Sequence, residues 1–362
     1  MEKLLTLSIA TFLLTAGCAE NVQPTFSKSS EQTQPQQSAS SVESLDILAE
    51  NLNVPWSIVK QGETFYLTER SGSIAKVVNG KVERQRVILE KEVSTASEAG
   101  LLGFVLAPDF STSNMAYAYY TYEDSEGQFN RIVTLQLANN VWQEKALLLD
   151  RIPSGTYHHG GRLKIGPDGK LYATAGDASQ REIAQNLQSL GGKILRMNLD
   201  GSIPDDNPFP NSYVYSYGHR NPQGITWSPD GTMYASEHGN SRNDEVNIID
   251  AGQNYGWPFI EGKEQREGLL APLFTSGNQH TWAPSGIAYA NNKLYVAALR
   301  GNAVLEFDVA ANTYRELVTD LGRIRDVFIE DGYLYFISNN LDGRGTGQQN
   351  DDKLYRLPLV NE

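Results

Sequence analysis

One cysteine, Cys18, is all that 362 residues contain. An internal disulfide is therefore impossible, and so is a cysteine-rich metal site. Positive charge is scarce too: 30 Lys and Arg stand against 43 Asp and Glu, a net charge of −13. So acidic a chain lacks the field that nucleic acid or an anionic membrane surface requires, and an anionic ligand must be met by a local cluster of cations. Helical periodicity is almost absent, and the apolar stretch from Leu4 to Leu14 is too short to span a bilayer as a mature helix. What the chain does have is 40% hydrophobic residues, 32 Gly, 15 Pro and 18 Tyr, the make-up of a globular protein large enough to bury a core. Its length suggests two domains unless the architecture is a closed all-β one, which often runs long as a single unit.

The amino terminus reads as an address. Lys3, the apolar stretch to Leu14 and the small residues of Thr15-Ala16-Gly17 before Cys18 resemble a bacterial lipoprotein signal. The expectation is a signal peptide over residues 1–18, with Cys18 acylated as a lipid anchor on the extracytoplasmic side of a membrane of the cell envelope. Residues 19–44 are rich in Gln, Ser and Pro with almost nothing to bury, which predicts a disordered tether. The folded domain is expected over 45–362.

A weak repeat organises that domain. Phe65-Tyr66, Ala116-Tyr117, Leu171-Tyr172, Met233-Tyr234, Leu294-Tyr295 and Leu334-Tyr335 each follow a turn and open an alternating run, with tyrosine steps of 51, 55, 62, 61 and 40 residues. Turns such as Pro167-Asp168-Gly169, Pro229-Asp230-Gly231, Asn291-Asn292 and Asp331-Gly332, flanked by period-2 segments, are hairpin chemistry. Six such units predict an all-β, six-bladed β-propeller, in which each small sheet hides its faces against its neighbours. A pair of β-sandwiches with accidental tyrosine spacing is the competing architecture.

Counting outward from each turn shows what meets at the open end of each hairpin. His158 falls opposite Asp177, Asn221 opposite Gly239 with Arg220 alongside, Trp282 opposite Arg300, and Arg323 opposite Asn339 with Arg325 two residues further in. If these mouths converge on one face, they form a funnel holding a histidine, a carboxylate and several arginines. A histidine oriented by a carboxylate can serve as a general base, and arginines gathered in an acidic protein point to an anion. Asp244-Glu245 is either a solvated pair or a source of hard oxygen ligands for Ca²⁺. Trp282 reads as core.

The motifs His158-His159-Gly160-Gly161-Arg162-Leu163, Gly176-Asp177, Tyr217-Gly218-His219-Arg220-Asn221-Pro222-Gln223-Gly224, Asp244-Glu245-Val246-Asn247 and Asn254-Tyr255-Gly256-Trp257-Pro258 together closely resemble the soluble glucose dehydrogenase and aldose sugar dehydrogenase family, whose members use pyrroloquinoline quinone. The resemblance implies a six-bladed propeller that oxidises an aldose at C1, passes hydride to the quinone and hands electrons to an external acceptor. By matching position it makes His158 the base, Asp177 its partner and Arg220 a third catalytic residue. Glu98, Asn221, Arg300, Arg323 and Arg325 fall at quinone-binding positions, the carbonyls of Gly239 and Asn240 at those that hold a Ca²⁺ on the cofactor, and Glu245 with the Tyr255 carbonyl at a second Ca²⁺ site. The chain departs from the glucose-oxidising pattern at Glu98, where those members have Gln, at Tyr157, where they have Asp, at Arg300, where they have Lys, and at Asn240, where they have Pro. Glu98 and Tyr157 also leave open a propeller that binds without catalysis.

Overall fold

The structure is a computed structural model that describes residues 45–359. Cys18, the signal peptide and the tether lie outside the described residues, as do residues 360–362. Among the described residues the regular structure is almost all strand, paired antiparallel with one exception, and includes one short helix at Phe110–Ser113 and one 3-10 turn at Arg181–Gln185. No helix there is long and apolar enough to cross a membrane.

The six tyrosines mark equivalent places. Tyr66, Tyr117, Tyr172, Tyr234, Tyr295 and Tyr335 lie in Thr64–Glu69, Met115–Asp124, Leu171–Ala175, Met233–Glu237, Lys293–Ala298 and Tyr333–Ser338, and all six are buried. Each of those strands pairs back on the strand before it: Pro55–Gln61, Leu101–Leu106, Leu163–Ile165, Pro222–Trp227, Pro284–Ala290 and Ile324–Glu330. Such strands as Leu171–Ala175 are buried along their whole length because neighbouring sheets cover both faces. Outer strands are more open: Thr313–Val318 is exposed at Thr313, Arg315 and Glu316. The hairpin turns form as their sequences demand: Asn291 and Asn292 have φ of 51° and 59°, and Asp331 and Gly332 have 51° and 76°, so both central residues take the left-handed region that a tight two-residue hairpin needs.

The first strands of these hairpins touch in a closed circuit. Pro55–Gln61 contacts Leu101–Leu106, which contacts Leu163–Ile165, and the series continues through Pro222–Trp227, Pro284–Ala290 and Ile324–Glu330 back to Pro55–Gln61. The amino-terminal strand Asp46–Ala49 pairs with Leu354–Pro358, so the two ends of the described chain share one sheet. Four sheets have four strands; the fifth has eight, because Lys81–Ile88 pairs in parallel with Val141–Pro153 through Arg86, Val87 and Ile88. Two units expected as separate sheets are thus fused at their outer edges, where the long hairpin Gly127–Ala138 to Val141–Pro153 reaches its neighbour.

Close approach at the centre explains two glycines. A Cβ on Gly286 would stand 1.8 Å from Asp326 Oδ1, and one on Gly103 would stand 2.2 Å from the Gly161 carbonyl. Asp326 accepts from Arg162 Nη1 at 2.8 Å and from the Ile58 N–H at 2.8 Å, while the Arg162 guanidinium lies 4.2 Å from the centroid of the Trp56 ring. This buried pair ties three of the central strands together, and removing either partner would leave an uncompensated charge in the interior.

Register shifts recur near the mouth of the first strands, between Pro55 and Ile58, Leu101 and Phe104, Pro222 and Gly224, Pro284 and Ile287, and Ile324 and Asp326. Bulges of this kind re-aim the side chains beyond them. One of them corrects the sequence expectation. Asn221 does not face Gly239; its carbonyl accepts from the His238 N–H at 3.2 Å, because the irregularity at Gln223 moves the pairing by one residue.

Candidate active site

A cavity of about 480 Å³ opens where the hairpin mouths converge. Its wall carries His158, Glu98, Arg220, Gly239, Arg300, Arg323 and Arg325, residues expected at the site from the sequence and contributed by different sheets. Asp177 and Asn221 stand behind the wall, both fully buried. Asn221 Oδ1 accepts from the Gly160 N–H at 3.0 Å and so shapes the loop that carries the histidines.

His158 is held from three directions. Its backbone is left-handed, φ 67°, and its N–H donates to Glu98 Oε2 at 3.1 Å. Its carbonyl packs on Gly176, where any Cβ would stand 2.0 Å away, so the glycine before Asp177 is required. Its Nδ1 lies 2.7 Å from Asp177 Oδ1, which also accepts from the Ser179 N–H at 2.7 Å. A carboxylate oxygen only accepts, so in the neutral imidazole the proton sits on Nδ1 and the lone pair on Nε2. That is the tautomer of a general base. The neighbouring His159 is different: it is 2% exposed, its Nδ1 lies 2.9 Å from Ser154 Oγ and its Nε2 has no partner.

Burial pushes His159 down to about 4, with the Arg70 charge acting in the same direction and Glu98 against it. The neutral ring is therefore the folded form. Between the ordinary imidazole value near 6.5 and about 4, the unfolded chain takes up a proton that the folded one refuses, so this contribution is intact above pH 6.5 and is lost as pH falls toward 4. The loss is on the order of 3 kcal/mol at its limit. A series of melting temperatures from pH 7 to 4 is expected to fall less steeply for His159→Gln than for the wild type; equal slopes would contradict this.

Six arginines line the cavity: Arg70, Arg220, Arg300, Arg323, Arg325 and Arg344. Arg323 donates through Nε and Nη2 to Asp342 Oδ2 at 3.0 and 2.8 Å and through Nη1 to the Leu299 carbonyl at 3.2 Å. Arg325 donates to Asn339 Oδ1 and Gln223 Oε1, and burial pushes its guanidinium down to about 9. Arg220 gives Nη1 to the His238 carbonyl at 3.2 Å, and its buried Nε has no partner. Removal from water lowers Arg70 and Arg220 as well. Cations held at this cost in an acidic chain are arranged to receive negative charge.

Glu98 is the acidic exception on the wall, and its charge is answered. Arg344 Nη1 donates to Glu98 Oε1 at 2.5 Å and its guanidinium lies 5.4 Å from the centroid of the Tyr157 ring. Burial alone would raise Glu98, but the hydrogen bond and charge of Arg344 hold it at about 2. Both departures from the glucose-oxidising pattern, Glu98 and Tyr157, thus belong to one cluster with Arg344.

Sequence reasoning missed Arg70, Arg344, His238 and Trp257. Arg70 is legible in principle, since its N–H donates to the Val54 carbonyl at the mouth of the first hairpin. Arg344 stands in an irregular loop with no periodic signal. Trp282, read as core, packs on Phe307 and Tyr314.

A second, small cavity of about 10 Å³ adjoins the first and is lined by Gly239, Asn240, Glu245, Tyr255 and Glu237 among others. Glu245 accepts from the Gly262 N–H at 3.0 Å and from Asn247 Nδ2 at 3.2 Å. Removal from water and the Glu237 charge push it up to about 8. Among the described residues no set of three or more His, Cys, Asp or Glu gathers as a metal site. A cation here would depend on Glu245 together with backbone carbonyls.

The sequence model of the Glucose / Sorbosone dehydrogenase family matches residues 52–356. The chain is 30% identical over 337 residues to aldose sugar dehydrogenase YliI of Escherichia coli, covering 83% of this chain and 91% of that protein. It is 34% identical over 256 residues to quinoprotein glucose dehydrogenase B of Acinetobacter calcoaceticus, covering 61% of this chain and spanning about half, 54%, of that relative. The solved PQQ-bound form of aldose sugar dehydrogenase from Streptomyces coelicolor superposes with a TM-score of 0.81 at 35% identity, covering 87% of this chain and 98% of that one. A match over nearly all the described chain places this protein in the glucose/sorbosone dehydrogenase family.

Proposed function

We propose that the protein is a six-bladed propeller enzyme that oxidises an aldose at C1 with pyrroloquinoline quinone. The observation that carries the reading is the convergence of the His158–Asp177 pair and six arginines on one cavity. The closed circuit of six first strands supports the blade count. The cavity fits the cofactor: a flat tricarboxylate needs several cations, and the unpartnered Arg220 Nε is a donor awaiting an acceptor. Arg220, Arg300, Arg323 and Arg325 would hold it, with Asn221 supporting the loop beneath.

When bound, the quinone supplies acceptance of the hydride. The chain's own part is to hold the sugar hydroxyl against His158 Nε2, which takes its proton, while Asp177 stabilises the imidazolium that forms. The donor set also suits Ca²⁺, a hard cation that takes oxygen ligands. The Gly239 and Asn240 carbonyls would hold one ion beside the cofactor as a Lewis acid, and Glu245 with the Tyr255 carbonyl a second, structural one.

The test is reconstitution of the purified protein with quinone and Ca²⁺, followed by dye reduction across a panel of aldoses. Aldose-dependent reduction is expected. A flat trace with every sugar, despite bound quinone, would favour a propeller that binds without turning over, the reading that Glu98 and Tyr157 otherwise support. Glu98→Gln keeps an acceptor for the His158 N–H but releases Arg344, and is expected to change KM among sugars several-fold while kcat moves less. An unchanged sugar profile would remove Glu98 from the specificity account.

A further inference from the structure

Trp257 lies in the loop after Glu245–Ile249 and is buried, 5% exposed. Its backbone is fixed at both ends: the N–H donates to the Gly218 carbonyl at 2.9 Å, and the carbonyl accepts from Gln185 Nε2 at 2.6 Å. Gln185 is itself locked to Asn254 by a reciprocal pair of hydrogen bonds at 2.7 and 3.0 Å. The indole therefore has little freedom. Its Nε1 donates to Asp177 Oδ2 at 2.8 Å, and two guanidinium groups lie over the ring, Arg181 at 5.1 Å and Arg220 at 5.4 Å from the centroid.

The two oxygens of Asp177 have different duties. Oδ1 takes His158 Nδ1 and the Ser179 N–H, while Oδ2 takes the indole N–H. Without that donor, a fully buried carboxylate oxygen would be left unpaired, and the carboxyl plane could rotate to trade one oxygen for the other. His158 would follow, because its side chain is oriented through Asp177. On the other side, the indole face is a platform for Arg220, whose Nε is unpartnered and whose removal from water makes a π-face worth more than at the surface.

We propose that Trp257 is a positioning residue that aims the His158–Asp177 pair through its N–H and the Arg220 guanidinium through its ring, so that one side chain registers the base against the cofactor pocket. The proposal deepens the dehydrogenase reading and rests on it for the role of the base. The two contacts separate by substitution. Trp257→Phe keeps a ring beneath Arg220 and deletes the donor; Trp257→Leu deletes both.

The first measurement uses quinone-free protein and needs no turnover. Proton NMR of wild-type protein should show the hydrogen-bonded His158 Nδ1 proton far downfield, and Trp257→Phe should shift it upfield or broaden it by exchange. In reconstituted protein, Trp257→Phe should lower kcat roughly 10- to 100-fold, the usual cost of disturbing a supporting contact, with KM and quinone affinity within about threefold. Trp257→Leu should also weaken quinone binding several-fold. Should Trp257→Phe fail to fold, the contact is read from the other end: the Trp257 Nε1 proton should move upfield and exchange faster in Asp177→Ala. An unmoved His158 signal with unchanged kcat in Trp257→Phe, or an unmoved indole signal in Asp177→Ala, would overturn the proposal. A shifted His158 signal in a protein inactive with every sugar would leave the positioning intact and sink the dehydrogenase reading instead.

Discussion

Replacing His158 by alanine is expected to lower turnover by about three orders of magnitude while quinone affinity stays within a few-fold, the range a positioned general base supplies. Asp177 fixes the proton on Nδ1 at 2.7 Å, Glu98 holds the backbone N–H at 3.1 Å, and the left-handed backbone at φ 67° aims the ring into the cavity. None of these contacts uses the side chain of Arg220, Arg300, Arg323 or Arg325, so losing the imidazole removes the proton acceptor without dismantling the anion site. Stopped-flow reduction of bound quinone by an aldose, beside an absorbance titration of quinone binding, separates the two effects. A variant retaining more than a tenth of wild-type turnover would show that another group, or water, takes the proton.

The second large effect is expected at Arg325. Its guanidinium is buried, held by Asn339 and Gln223, and stands 3.8 Å from Asp342. Burial lowers it to about 9, against the pull of Asp342, so the folded chain gains from a further anion at this place. Arg325→Ala should weaken quinone binding roughly 100-fold, as expected for a lost charge-assisted pair. Arg325→Lys should fall between the two, because it restores the charge without the planar fork. Asp342 keeps Arg323 as its partner, at 2.8 Å, so the fold is expected to survive, checked by circular dichroism. Equal quinone affinity in wild type and Arg325→Ala would move the carboxylate-binding arginines elsewhere.

The two predictions draw on parts of the site that were unequally legible in the sequence. Hairpin counting placed His158 beside Asp177, Trp282 opposite Arg300 and Arg323 opposite Asn339; tight turns fix the register at the closed end, and the one-residue shifts between Pro284 and Ile287 and between Ile324 and Asp326 bring the last two pairs opposite each other at the mouth. It failed by one residue at Asn221, where the bulge at Gln223 adds a position that no turn signal announces. The tyrosine repeat found the second strand of each hairpin, where a buried tyrosine recurs in all six. The fusion of two units into an eight-stranded sheet was not legible, because it depends on how far the strands Gly127–Ala138 and Val141–Pro153 extend beyond the repeat. Arg344 and Trp257 lie on irregular loops whose course is set by tertiary hydrogen bonds such as Glu98 to Arg344 and Gln185 to the Trp257 carbonyl. Contacts separated by 246 residues have no local signature.

The electrostatic organisation of the cavity also bears on the small departures from the glucose-oxidising pattern. A carboxylate at Glu98 would oppose an anionic cofactor if it stood alone; paired with Arg344 it is neutralised and orders the rim instead. Tyr157, 44% exposed and beneath the same guanidinium, gives that rim an apolar face next to His158. If the cavity takes a sugar as proposed, the cluster shapes the rim that the sugar meets, while the His158–Asp177 pair stays intact.

The central claim is that the hairpin mouths build one pocket for a flat, triply anionic quinone beside His158. Titrating the purified, quinone-free protein with pyrroloquinoline quinone in the presence of Ca²⁺, and following the cofactor's absorbance, tests it most directly. The account predicts saturation at one quinone per chain, with affinity reduced in Arg325→Ala and unchanged in His158→Ala; a spectrum that stays that of free quinone at every protein concentration would contradict it.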